Sequence, residues 1–267
     1  MILNVAYSPC PNDTFMFYDL ATGASHVEGV DIRTHLHDVE TLNQFALKGK
    51  YDITKVSFPA YLRVQDQYEL LSAGAAVGFG CGPLVVAKRE IAPADVARCR
   101  VAVPGDLTTA YLLLRLWAPS VGEVVEARYD LIMGMVARGE VDCGVLIHES
   151  RFVYQQMGLK CLVDLGQWWQ ASTDLPIPLG CIIARKSLGS DLIRRFEQTL
   201  RQGIIHSKAC PEATWPYVRK HAQEMDQDTI MRHIQMFVND FSIDMGPLGH
   251  AAVEKLRTLA RKAGVIA

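Results

Sequence analysis

Through the first two-thirds of the chain, short apolar runs alternate with segments whose apolar residues recur every three or four positions. That is the pattern of strands feeding amphipathic helices. Ile2–Tyr7 predicts a strand, and Asp13 to about Leu20 the helix after it. Asp31–His37 alternates apolar and polar residues and predicts a second strand. Val39–Lys48 predicts a helix stopped by Gly49, since glycine suits the left-handed position just past a helix end. Tyr51–Val56 predicts a third strand, followed by an amphipathic stretch from Pro59 to about Gln67.

Gly74–Pro83 holds four glycines and ends in Gly82-Pro83, so it does not form a regular helix and reads as a crossover. Beyond it the alternation restarts. Strand Arg100–Val103 leads through Pro104-Gly105-Asp106 into helix Leu107–Trp117; strand Val121–Ala127, helix Asp130–Arg138 and strand Cys143–Ile147 follow. The two halves superpose at an offset of 90 residues, with Leu42, Phe45, Lys48, Gly49 and Asp52 falling on Ile132, Met135, Arg138, Gly139 and Asp142. Each copy is a helix with a basic residue in its last turn, a glycine stop and an aspartate opening a strand.

After Pro176-Ile177-Pro178, Leu179–Ala184 reads as one more strand that returns the chain to the first half. The remainder reads as helical: Ile193, Phe196, Leu200 and Ile204 share one helix face, Pro211 opens another helix at its first position, and Val253, Leu256 and Ala260 share a face of the last, which Gly264 ends. The expected architecture is therefore α/β and two-lobed, with residues 1–83 plus 179–267 as a discontinuous first lobe and 84–178 as an inserted second lobe. Ligands of such sheets sit beyond the carboxyl ends of the strands.

Composition narrows the function more than the fold. With 27 Lys and Arg against 29 Asp and Glu, the net charge is −2, and no basic patch marks a nucleic-acid or anionic-membrane binder. No apolar run approaches the roughly 18–20 residues of a membrane-spanning helix, and the first residues have no basic region or cleavage site of a signal peptide. The seven cysteines have no C-x-x-C spacing, which suggests free thiols rather than a zinc site or a disulfide framework. These features predict a cytoplasmic protein that handles a small molecule.

Three strand ends carry chemistry. The third strand ends in Lys55-Val56-Ser57, where Lys55 or Ser57 is suited to a carboxylate or carbonyl, while Ser57 is equally suited to capping the next helix. The loop Pro104 to Ala110 opens a helix whose first N–H groups lack helical acceptors. Thr108 and Thr109 add hydroxyl donors there, so a ligand carboxylate fits, as does simple capping. His148 follows the strand Cys143–Ile147 and would face the cleft as a general base, imidazole titrating near neutral pH; a structural histidine is the alternative. Glu149 points elsewhere if the chain is extended. His35 and His37 share a strand face as H-x-H metal ligands do, without a third ligand. Cys10, between two prolines, reads as a nucleophile or a loop-shaping residue, and Trp168-Trp169 as a wall for an aromatic ligand or as packing. No Walker loop, Rossmann fingerprint, zinc signature or G-x-S-x-G is present.

Several runs, in order along the chain, carry a family resemblance: Ser8-Pro9-Cys10-Pro11-Asn12-Asp13-Thr14-Phe15, Asp38 to Asn43, Gly82 to Ala87, Val101 to Gly105 with Thr108 to Tyr111, Ile147 to Phe152, and Val163 to Gly166 with Trp168-Trp169 and Leu175 to Gly180. On these the chain resembles the 1,4-dihydroxy-6-naphthoate synthases of the futalosine route to menaquinone. The resemblance implies a type II periplasmic-binding-protein-like fold with its ligand cleft between the lobes, used by a carbon–carbon lyase that needs no cofactor or metal. It implies a carboxylated substrate, cyclic dehypoxanthine futalosine, and as products 1,4-dihydroxy-6-naphthoate and dihydroxyacetone. The family's proton acceptor falls on His148, and its substrate contacts fall on Lys55, Val56 and Ser57 and on Thr109 and Ala110. Chorismate dehydratase of the same pathway and a non-catalytic binding protein are the competing expectations.

Overall fold

The computed structural model describes residues 1–223 and 226–266. Its elements run β1 (Ile2–Tyr7), α1 (Pro11–Met16), α2 (Tyr18–Thr22), β2 (Asp31–Leu36), α3 (Val39–Leu47), β3 (Ile53–Ser57), α4 (Phe58–Val64), β4 (Tyr68–Leu70), β5 (Ala76–Gly78) and β6 (Leu84–Ala87). There follow β7 (Arg100–Val103), α5 (Thr109–Trp117), β8 (Glu123–Glu126), α6 (Tyr129–Arg138), β9 (Cys143–Leu146), α7 (Ser150–Val153), β10 (Lys160–Asp164), α8 (Leu165–Thr173) and β11 (Ile177–Arg185). Helices α9 (Ser190–Ala209), α10 (Pro211–His221), α11 (Gln227–Phe237), α12 (Asp240–Ile243) and α13 (Gly246–Lys262) complete the described chain.

The strands form two sheets, ordered β2-β1-β3-β11-β4, with β5 also on β11, and β10-β6-β9-β7-β8. Each sheet holds three mutually parallel strands, β2-β1-β3 in one and β8-β7-β9 in the other. Next to β3 and β9 respectively, β11 and β6 run antiparallel. This makes a two-lobed α/β fold in which the lobes repeat one plan. The repeat seen in the sequence has matching bonds. Gly49 and Gly139 adopt φ +59° and +76°, the backbone region glycine enters freely. Asp52 Oδ2 accepts from the Asn4 N–H, and Asp142 Oδ2 from the Arg100 N–H, both at 2.8 Å. The same kind of carboxylate thus ties β3 to β1 and β9 to β7.

Several elements depart from the sequence expectation. The predicted helix from Asp13 is two short helices that break at Phe17, whose ring stacks on Tyr7 with centroids 4.3 Å apart. The stretch after Pro59 forms α4, which is buried on nearly every position rather than amphipathic. The crossover Gly74–Pro83 contains β5, held on β11, and β4, β6, β10 and α8 appear where no strand or helix was expected. Strands β4 and β10 are edge strands with partly exposed residues and so show no apolar run, and α8 buries only Leu165, Gly166 and Trp169. Trp169 is fully buried on α8 and donates from Nε1 to the Pro176 carbonyl at 3.0 Å.

The core of the first lobe packs Leu3, Val5 and Tyr7 of β1 with the Ile193, Phe196, Leu200 and Ile204 face of α9, the face its sequence marks. The chain enters β6 and leaves β10, its antiparallel neighbour, where Gly82 passes Gly166. A Cβ on Gly82 would collide with the Gly166 backbone, and one on Gly166 would lie 2.6 Å from the Gly82 nitrogen. The crossing therefore requires glycine on both sides.

Candidate active site

A cavity lies between the two sheets and collects the carboxyl ends of their parallel strands. Ser8, Asn12 and Asp13 reach it after β1, Lys55 and Val56 at the end of β3, Thr108, Thr109 and Ala110 after β7, and Ile147 and His148 after β9. Gly82 and Pro83 of the crossover, Leu179 and Gly180 of β11 and Phe237 of α11 close the wall. Of the residues singled out in the sequence, the structure brings together Lys55, Val56, Thr108, Thr109, Ala110 and His148. Ser57 is not among the lining residues.

His148 is not in extended backbone. Its φ is +56°, a left-handed conformation uncommon for a residue with a side chain, and Glu149 follows in helical geometry and opens α7. The turn sends the imidazole into the cavity, and Glu149 is buried behind it rather than pointing away. The edge of the Tyr129 ring meets the imidazole at 4.8 Å between centroids, and the ring of His233 from α11 lies nearly parallel at 5.8 Å. Burial pushes the pKa of His148 down to about 4, opposed by Asp13 and reinforced by Lys55. The ring is therefore neutral at pH 7.

Lys55 does not present a free ammonium. Its Nζ lies 2.9 Å from Asp13 Oδ1 and donates to the Gly74 carbonyl at 3.3 Å. Asp13 Oδ2 accepts from the Ser8 hydroxyl at 2.6 Å and the Ser8 N–H at 3.2 Å, while Asn12 Nδ2 donates to Asp13 Oδ1 at 3.0 Å. The turn after β1 is thus folded around one buried carboxylate. Cys10 sits within it with its N–H on Ser8 Oγ, and burial pushes its thiol far up, with Glu149 adding to the shift. The thiol stays protonated, which favours the loop-shaping role.

Thr108 caps α5: its hydroxyl oxygen accepts the Tyr111 N–H at 3.2 Å, and its proton goes to the Gly105 carbonyl at 2.8 Å. Thr109 donates its hydroxyl proton to the Leu179 carbonyl at 2.6 Å. That carbonyl is available because the β5–β11 register shifts between Pro178 and Gly180. Both hydroxyl protons are thus taken by the protein. The groups left for an anion are the first-turn N–H groups of α5 at Thr109 and Ala110, which have no acceptor inside the helix.

Ser57 heads α4 without a side-chain capping bond. Instead its N–H donates to Asn43 Oδ1 at 2.8 Å and its hydroxyl oxygen accepts from Asn43 Nδ2 at 3.2 Å. Asn43 also donates to Glu40 Oε2 at 3.2 Å. Glu40 lies against Gly105 of the other lobe, and its pKa is raised to about 7, mainly by burial, with Asp106 adding to it. His35 and His37 bond to Asn4 Oδ1 at 3.2 Å and the Tyr51 hydroxyl at 2.8 Å. Among the described residues, no group of three or more His, Cys, Asp or Glu is placed to hold a metal ion. Trp168 and Trp169 do not line the cavity. Among the residues that sequence reasoning missed are Phe237, which lines the cavity, and His233, which lies behind His148: neither carries a motif, and both come from a helix distant in sequence from the strand ends.

A sequence model of the menaquinone biosynthesis family matches residues 3–262. A 1,4-dihydroxy-6-naphthoate synthase of Thermus thermophilus is 47% identical over 266 residues, spanning 99% of this chain and 96% of its own. The enzyme of the same name from Streptomyces coelicolor is 44% identical over 270 residues, spanning 99% and 94%. Among solved structures, an Archaeoglobus fulgidus protein superposes with a TM-score of 0.94 at 38% identity, covering 99% of this chain and 98% of that one. The alkanesulfonate-binding protein of Xanthomonas axonopodis, solved with MOPS, has a TM-score of 0.74 at 13% identity over 100% of this chain and 94% of its own, a likeness of fold alone. The fold is thus periplasmic-binding-protein-like, and the chain belongs to the menaquinone biosynthesis family that includes the 1,4-dihydroxy-6-naphthoate synthases.

Proposed function

We propose that the protein is a carbon–carbon lyase that converts cyclic dehypoxanthine futalosine to 1,4-dihydroxy-6-naphthoate and dihydroxyacetone, with His148 as general base. The observation that carries this reading is the neutral imidazole of His148, turned into the cavity by a left-handed backbone and flanked by two rings. In the reading, His148 takes a hydroxyl proton from the sugar-derived part of the substrate. The O–H electron pair opens the sugar-derived ring to a carbonyl and frees the oxygen on the spiro carbon. Once that carbonyl has shifted along the three-carbon chain, the freed oxygen forms a ring carbonyl as the carbon–carbon bond breaks. The bond's pair leaves with the fragment as the enolate of dihydroxyacetone, and the ring diketone enolises. Aromatisation drives the step, and the proton held by His148 goes to the departing enolate.

The substrate carboxylate is assigned to the first turn of α5, at Thr109 and Ala110 behind the cap formed by Thr108. Lys55, already paired with Asp13, and Val56 form the facing wall of the cavity. Ser57 acts through Asn43 on the shape of that wall. Residues 1–83 with 179–267 are assigned to the first lobe and 84–178 to the second, with the substrate in the cleft between them. The reading includes a cytoplasmic location, supported by the seven unpaired cysteines; no helix among the described residues is long and apolar enough to cross a membrane.

Anaerobic incubation of the purified protein with cyclic dehypoxanthine futalosine, and in parallel with chorismate, followed by mass spectrometry, tests the reaction. Formation of 1,4-dihydroxy-6-naphthoate is the expected result. Turnover of chorismate, or binding of either compound without turnover, would overturn it. A folded His148→Ala protein should lose roughly 10²–10⁴-fold in turnover, the range of a general acid–base group, and near-normal activity would remove His148 from the role.

A further inference from the structure

Behind His148 lies a second imidazole, that of His233, fully buried on α11. Its Nε2 is 2.9 Å from Asn12 Oδ1. Which of the two atoms donates follows from the next link. The Asn12 amide nitrogen donates to Asp13 Oδ1 at 3.0 Å, and that same oxygen receives Lys55 Nζ at 2.9 Å, so Asp13 is an ionised acceptor. The amide orientation is thereby set: its oxygen faces His233 and accepts. His233 therefore carries its proton on Nε2 and leaves Nδ1 as a bare lone pair.

That lone pair has no hydrogen-bond partner among the described residues, and neither has the buried Nε2 of His148, whose ring lies nearly parallel with centroids 5.8 Å apart. For its substrate-facing nitrogen to accept a proton, neutral His148 carries its hydrogen on the enclosed Nε2, which makes no hydrogen bond to His233 Nδ1 as the rings stand. Once His148 accepts a proton, both of its nitrogens carry hydrogen, and the one facing away from the substrate is enclosed and needs an acceptor. Resting on the reading of His148 as the base, we propose that His233 is a positioning residue: the chain Lys55–Asp13–Asn12 fixes it as the Nε2–H tautomer, and its bare Nδ1 orients and steadies the imidazolium that His148 becomes. Glu149, whose Oε2 lies 3.7 Å from His233 Nδ1, borders the same enclosure, as does Tyr129 on the other side of the His148 ring. The arrangement does for His148 what an orienting carboxylate does for the base of a hydrolytic triad, with a neutral ring in place of the charge.

Two measurements test it. Nitrogen-edited NMR of the ring atoms in the unmodified protein should find His233 protonated on Nε2 and bare on Nδ1; the opposite tautomer overturns the proposal. In kinetics, His233→Phe keeps a ring and removes the lone pair, whereas His233→Asn retains an acceptor near the Nδ1 position. His233→Phe should lower kcat by about 10–100-fold, the range found when the partner that orients a functional histidine is lost. KM should change by less than about threefold, the mark of an interaction made in the transition state rather than in binding. His233→Asn should recover at least about tenfold of that loss. A folded His233→Phe protein with unchanged kcat, or His233→Asn no better than His233→Phe, overturns the proposal. His148→Ala separates the two readings: its retention of activity would remove the base itself, whereas its inactivity beside a fully active His233→Phe protein would remove only the role of His233.

Discussion

Lys55 Nζ lies 2.9 Å from Asp13 Oδ1, with both side chains almost wholly enclosed at the cavity wall. The pair joins β3 to the turn after β1, and Ser8 and Asn12 use the remaining acceptor capacity of the carboxylate. A charge that looks in the sequence like a ligand anchor is thus already neutralised by the fold. Breaking a buried pair from one side leaves an uncompensated charge. Lys55→Met should therefore lose roughly 3–5 kcal/mol of stability, read from the urea midpoint, and Lys55→Met combined with Asp13→Leu should recover part of it. An unchanged midpoint for the single variant would show that water reaches the pair.

The pH dependence of the reaction follows from burial of His148. Its pKa falls from 6.5 to about 4, so the neutral ring persists well below neutrality. The profile of kcat/KM should stay level from pH 8 down to about 5 and decline toward 4. A decline centred near 6.5 would mean that the ring is solvated in the working enzyme.

The same shift has a consequence for stability. Between pH 6.5 and about 4 the unfolded chain binds a proton at position 148 that the folded chain refuses. The stabilisation is complete above 6.5 and is lost as pH falls toward 4. His233 is shifted in the same direction, chiefly by burial. Denaturation midpoints of His148→Gln should therefore fall less steeply than those of the parent protein over this interval.

Glu40 behaves in the opposite sense. Its pKa is raised from 4.5 to about 7, so its contribution is complete below 4.5 and is lost as pH rises through 7, when the carboxylate ionises beside Asp106. Glu40→Gln should melt higher than the parent at pH 8 and show no advantage at pH 5. Equal differences at both values would place the effect in packing rather than charge.

The crossing of Gly82 with Gly166 leaves no room for a methyl group. Gly82→Ala should destabilise the fold by about 1–3 kcal/mol, as forced overpacking does, or more because backbone rather than side chain must move. Since Gly82 lines the cavity, KM should rise as well. A variant with parental stability and KM would show that the two segments separate freely.

Much of this was legible in the chain. Strand β1 spans Ile2–Tyr7 and β7 spans Arg100–Val103 as the apolar runs indicate, and the helix–glycine–aspartate units around Gly49 and Gly139 end in equivalent bonds to β1 and β7. These signals are local. A helix face, a glycine stop and a strand-opening carboxylate each act within a few residues. The strand ends at Lys55, Thr109 and His148 followed from them, because parallel strands deliver their carboxyl ends to one side of a sheet.

What the sequence by itself determined was therefore the alternation of elements, the repeated plan and the places where chemistry-bearing residues leave the strands. Tertiary structure alone decided what those residues do there. It cancelled the charge of Lys55 with Asp13, turned Ser57 onto Asn43 and gave the Thr108 and Thr109 protons to the carbonyls of Gly105 and Leu179. It also bent the chain at His148 and set His233 behind it from α11. Periodicity reports which face of an element is buried, whereas a side chain's partner, protonation state and tautomer depend on atoms brought beside it from remote parts of the chain.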